Sequence, residues 1–168
     1  RVIMIVPFVF CMLSDLVPHR FLWAFLLFVT ASLTDMLDGY LARRDNLVTN
    51  FGKFMDPLAD KLLVCSAMIC LVDMSRIPSW IVIIIIGREF VISGFRLIAS
   101  DNGVVIAANY WGKCKTVCQM FMIIILIANL GGGFVIVEQI LIYASLILTV
   151  ISLITYLWQN RSVLSMQE

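Results

Sequence analysis

Charge is scarce in this chain: Asp, Glu, Lys and Arg make up 14% of its 168 residues, against 62% hydrophobic. Soluble domains average about 25% charged and about 45–50% apolar residues, so both departures argue for a membrane-embedded protein. Histidine is nearly missing, with His19 alone, which leaves no set of imidazoles for a zinc-type centre. Five cysteines are present, Cys11, Cys65, Cys70, Cys114 and Cys118, but none forms a Cys-x-x-Cys pair and most stand in apolar runs. They read as small hydrophobes, not as a disulfide framework. The net charge of +1 and the lack of a basic tail give no reason to expect nucleic acid. Low-complexity tracts and internal repeats are also missing. No small-residue cleavage site follows the first apolar run, so that run does not read as a signal peptide. Arg1 leads straight into Val2-Ile3-Met4-Ile5-Val6 without a starting methionine, from which we expect a short segment ahead of Arg1.

What the chain has in quantity is long apolar runs. A membrane-spanning helix needs roughly 20 residues, and breaks at Pro, Gly and charge divide the sequence into about six. The expected spans are Val2–Val17, Phe21–Leu41, Gly52–Val72, Ser79–Ile98, Lys113–Leu130 and Phe134–Trp158. The fold expected is therefore an all-α integral membrane bundle of about six transmembrane helices, with residues 1–168 forming a single domain. Short loops that are rich in Lys and Arg stay cytoplasmic. Arg43, Arg44, Lys53, Arg96, Lys113, Lys115 and Arg161 collect on one side, against Arg20 and Arg76 on the other. That bias predicts a cytoplasmic face carrying both termini, the second-to-third loop and the fourth-to-fifth loop.

The loop between spans two and three is flanked by acid. Asp35 and Asp38 stand three apart near the end of span two, and Asp56 and Asp60 four apart near the start of span three. On a helix each spacing puts the pair on one face, one turn apart. Antiparallel neighbours would bring four carboxylates together at the cytoplasmic end of the bundle. Charge inside a membrane is costly and usually functional, and four anions in one place repel strongly at low dielectric. Divalent cations relieve that repulsion, and hard oxygen ligands favour Mg²⁺, Mn²⁺ or Ca²⁺ over zinc. Two such ions would balance four carboxylates and form a clamp suited to displacement at phosphorus. The bland alternative, solvated helix ends, does not account for two pairs at helical spacing. Small residues share the same stripes: Gly39 and Ala42 with the first pair, Gly52 and Ala59 with the second. They leave room for a ligand, or simply for close helix packing.

These residues resemble the CDP-alcohol phosphotransferase family. Its motif, Asp-x-x-Asp-Gly-x-x-Ala-Arg, about eight residues, then Gly-x-x-x-Asp-x-x-x-Asp, is filled by Asp35, Asp38, Gly39, Ala42, Arg43, Gly52, Asp56 and Asp60. The six-span layout extends the resemblance over nearly the whole chain. It implies attack of an acceptor hydroxyl on the lipid-side phosphate of a CDP-linked lipid, with CMP leaving. It further implies that the four aspartates bind two divalent metal ions, Mg²⁺ or Mn²⁺, and that Asp60 is the catalytic base. Asp38, Gly39, Ala42, Arg43 and Gly52 would then line the CDP-lipid site. A homodimer is typical of the family.

The second half bears on the acceptor. Glu89, Ser93 and Arg96 fall four and three apart, after Gly87-Arg88, and Gly112-Lys113-Cys114-Lys115-Thr116 opens span five, with Gln119 following. By spacing, Glu89, Ser93 and Arg96 share one face, and Lys115, Thr116 and Gln119 another. A basic pocket of Arg88, Arg96, Lys113 and Lys115 would suit an acceptor that bears a phosphate. Simpler readings are a buried Arg88–Glu89 ion pair that fixes packing, positive-inside topology for the lysines and a helix-dipole partner in Arg96. The pattern Arg-Glu-Phe, Ser, Arg, then Lys-x-Lys-Thr-x-x-Gln resembles the branch of the family that uses sn-glycerol 3-phosphate and CDP-diacylglycerol. Gly87 departs from the threonine or alanine expected there. Inositol phosphate or serine as acceptor is the alternative. A cation transporter is a remote one, since the aspartates gather at one face and no inverted repeat is visible.

Overall fold

The computed structural model describes the backbone of residues 2–44, 50–101 and 109–161, and the side chains over the same ranges except residues 35–44, 50–57, 60, 100 and 101. Among the described residues every regular element is an α-helix: α1 (Val2–Leu13), α2 (Arg20–Arg44), α3 (Asn50–Asp73), α4 (Ser79–Asp101), α5 (Tyr110–Ala128) and α6 (Phe134–Gln159). Two of them, α5 and α6, are long and apolar enough to cross a membrane.

The first helix is shorter than its apolar run suggests, ending at Leu13 and not near Val17. Pro18 disfavours helical backbone at the residue before it. The turn is then stabilised by an Asp15–Arg20 ion pair, and His19 takes a left-handed φ of 54° with its carbonyl accepting from Leu22 N at 2.9 Å. The fifth helix begins three residues before Lys113, at Tyr110, so Gly112 lies inside it.

Between α3 and α4 the chain closes a Schellman motif. Arg76 N donates to Leu71 O at 2.8 Å and Ser75 N to Val72 O at 2.8 Å, with Ser75 at φ 56° in the place glycine usually fills. The turn before α6 meets the same demand with Gly131 and Gly132, at φ 66° and 55°.

The chain divides into two compact units, residues 1–76 with 123–130, and residues 77–122 with 131–168. In the first, α1 packs on both α2 and α3, which also touch each other. Phe8 and Phe28 meet with ring centroids 5.9 Å apart. Among the described residues the buried positions of α2 are Ala24, Phe28 and Ala31, and those of α3 include Ala59, Leu63 and Ala67, the three-and-four spacing of one helix face. In the second unit α4 packs on α6. Ile92, Phe95, Ala99 and Tyr156 form its apolar cluster, flanked by Leu153 and Leu157. Large apolar side chains also point outward, among them Ile83, Ile136, Ile154 and Trp158.

Candidate active site

In the first unit the helices carry the acidic motif. Helical backbone runs through Asp35 and Asp38 in the second half of α2, and through Asp56 and Asp60 in the first half of α3. By sequence spacing, Asp35 and Asp38 stand three apart on α2, and Asp56 and Asp60 four apart on α3, the separations of neighbouring turns of a helix. The side chains of all four aspartates, and of Gly39, Ala42, Arg43 and Gly52, lie outside the described residues. Among the described residues no group of three His, Cys, Asp or Glu side chains is placed to hold a metal ion.

The second unit holds a buried polar cluster. Glu89 stands at its centre: its Oε1 accepts from Arg88 Nη1 and from Lys115 Nζ, each at 2.7 Å. Arg88 is 9% exposed and Lys115 2%, so that carboxylate compensates two buried ions. Arg88 Nε donates to Ser152 Oγ at 3.1 Å. Ser93 turns its hydroxyl back to the Glu89 carbonyl at 2.6 Å, which uses its donor within the helix. Arg96 is exposed; its Nε donates to Tyr156 Oη at 3.4 Å, and its guanidinium lies 5.7 Å from the Tyr156 ring centroid. Lys113 is exposed, while Gln119 is buried.

One expectation needs correcting. Thr116 does not share the inward face of Lys115 and Gln119: it is exposed, and its hydroxyl donates to Gly112 O at 2.9 Å. Lys115 and Gln119 are four apart, about 40° around the helix, whereas Thr116 is a full 100° step from Lys115. Three partners of the basic residues went unread in the sequence: Ser152 on Arg88, Tyr156 on Arg96, and Gly112 against the Arg88 guanidinium. A signal for the first existed. Ser145, Thr149 and Ser152 repeat at four and three within the apolar run of α6, and all three are fully buried.

Residues 1–151 match the family model described as CDP-alcohol phosphatidyltransferase, and the chain belongs to that family. Among its relatives, the protein named CDP-diacylglycerol--glycerol-3-phosphate 3-phosphatidyltransferase from Bacillus subtilis (strain 168) is 50% identical over 125 residues, 73% of this chain and 65% of that protein. A Rickettsia bellii protein of the same name is 41% identical over 135 residues, 78% of this chain and 75% of that protein. The chain thus spans a little under two thirds of the first relative's length and three quarters of the second's.

Proposed function

We propose that the chain transfers the phosphatidyl group of CDP-diacylglycerol to sn-glycerol 3-phosphate, giving phosphatidylglycerophosphate and CMP. The observation that carries this reading is the complete acidic motif on α2 and α3, in a family member 50% identical to a relative of that name. All of residues 1–168 serve as one functional domain in this reading.

The donor set suits divalent metal. Four carboxylates at helical spacing offer only hard oxygen, which matches Mg²⁺ or Mn²⁺, and the family as a whole is generally divalent-metal dependent. Asp35, Asp38, Asp56 and Asp60 would hold two such ions, which supply charge stabilisation at the diphosphate. Asp60 accepts the proton of the acceptor hydroxyl as that oxygen attacks the lipid-side phosphorus. The bond from that phosphorus to the bridging oxygen breaks, and CMP leaves. Asp38, Gly39, Ala42, Arg43 and Gly52 bind the CDP-lipid. Arg88, Arg96, Lys113 and Lys115 bind the phosphate of the acceptor, with Glu89, Ser93 and Gln119 in support; Thr116, turned outward, leaves that group.

For its setting we propose a multi-pass membrane protein with about six spans, the active site and both termini on the cytoplasmic side, assembled as a homodimer. Helices α2 to α6 are 19 to 26 residues long, about 28–39 Å at 1.5 Å per residue, against a hydrocarbon core of about 30 Å. Their many exposed apolar side chains suit lipid rather than water.

The test is CMP release by purified protein from CDP-diacylglycerol and Mg²⁺, with glycerol 3-phosphate, inositol 1-phosphate, inositol and serine offered separately. Release with glycerol 3-phosphate alone is expected. Release with another acceptor would keep the aspartate chemistry and discard the acceptor. Activity that persists in excess chelator would overturn the metal assignment.

A further inference from the structure

The buried hydroxyls of α6 have no place in the chemistry above, yet one of them touches its machinery. Ser145, Thr149 and Ser152 are fully buried in a mostly apolar helix. Two of them spend their protons locally: Thr149 Oγ1 donates to Ser145 O at 2.6 Å and Ser152 Oγ to Thr149 O at 2.9 Å. With its hydrogen so directed, the Ser152 oxygen is oriented as an acceptor, and Arg88 Nε donates to it at 3.1 Å. Arg88 Nη1 is held by Glu89. The third nitrogen, Nη2, would lie 3.3 Å from a Cβ placed on Gly112, tighter than ordinary carbon–nitrogen contact. Helices α4, α5 and α6 therefore each define one edge of the guanidinium. Glu89 then couples the Arg88 pose to Lys115, since one oxygen accepts from both.

We propose that Ser152 and Gly112 are positioning residues for acceptor selection: they set the pose of the Arg88 guanidinium, and through Glu89 its spacing from Lys115. This rests on the reading of Arg88 and Lys115 as ligands of the acceptor phosphate. Guanidinium recognition of phosphate depends on orientation as well as charge. Removing the Ser152 oxygen leaves Arg88 charged and still held by Glu89 at Nη1, but with its Nε edge no longer fixed, so it weakens acceptor binding without touching the CDP-lipid. Adding a methyl at Gly112 presses on a different nitrogen, Nη2, and shifts the same guanidinium.

Three variants decide it: Ser152→Ala, Ser152→Thr and Gly112→Ala, each purified in detergent beside the unaltered protein. For each, kcat and separate KM values for glycerol 3-phosphate and CDP-diacylglycerol are measured, together with Tm. Ser152→Ala is expected to raise the glycerol 3-phosphate KM about tenfold, the scale of one hydrogen bond to a charged group, with the CDP-diacylglycerol KM within about twofold. Gly112→Ala is expected to give the same split, and Ser152→Thr, which retains a hydroxyl able to bond back to the helix, to return the acceptor KM to within about threefold. Equal rises in both KM values, or no rise in a variant with unaltered Tm, overturn the inference while leaving the proposed function in place. No CMP release by the unaltered protein with glycerol 3-phosphate overturns the functional reading itself and this inference with it.

Discussion

The acidic and basic halves of this chain are built on different principles. On α2 and α3 the charged positions are paired by local spacing alone: Asp35 and Asp38 stand three apart and Asp56 and Asp60 four apart, each pair on one helix. Around α4 the charged groups are set by partners far away in sequence, Glu89 with Lys115 and Arg88 with Ser152. A local arrangement is carried by backbone geometry, so its loss should cost chemistry more than folding. A long-range arrangement of buried ions is held by mutual compensation, so its loss should cost stability as well as binding.

The sharpest test of that contrast is Asp60→Asn. Turnover should fall by about 10²–10⁴-fold, the usual worth of a general base, while binding of CDP-diacylglycerol and Tm hardly change; assays of CMP release, lipid binding and thermal unfolding read the three. Near-normal turnover would remove Asp60 from the role of base. In the basic half, Glu89→Gln should instead lower stability, by about 3 kcal/mol, because it strips compensation from two buried cations. Thermal unfolding in detergent would register this as a clear fall in Tm, and an unaltered Tm would mean that Arg88 and Lys115 find other compensation.

Lysine substitutions separate the same two effects within one helix. Lys115 is buried on Glu89 and Lys113 is exposed, so Lys115→Ala should lower both Tm and acceptor affinity. Lys113→Ala should raise the acceptor KM more than the CDP-lipid KM and leave Tm in place. Equal Tm losses for the two would show that the buried pairing carries no special weight. The smallest effect belongs to the turn after α3. Ser75 holds a left-handed φ of 56° that costs a side chain energy and glycine almost none, so Ser75→Gly should stabilise the protein by about 0.5 kcal/mol. A small rise in Tm with unchanged activity would confirm that the turn is structural only.

Helix number and most helix bounds were legible in the sequence because apolar runs and their breakers act locally. Where they failed, as at Leu13 and Tyr110, the end of the helix was decided by a turn or an unbroken backbone register that hydropathy does not see. The family and the acidic motif were legible for a related reason: two pairs at three and four apart need only a helix to share a face. Thr116 was misplaced because its three-residue spacing from Gln119 suited two faces equally, and only packing chose between them.

By itself, then, the sequence determined the helical class, the helices that bear the four aspartates, and the family to which the chain belongs, since each depends on neighbours within a turn or two. Tertiary structure alone decided that Lys115 turns inward and Thr116 outward, that Glu89 serves two cations at once, and that Ser152 and Gly112 meet Arg88. Glu89 and Lys115 lie 26 residues apart and Arg88 and Ser152 lie 64 apart, and no local periodicity encodes which buried ion will find which distant partner.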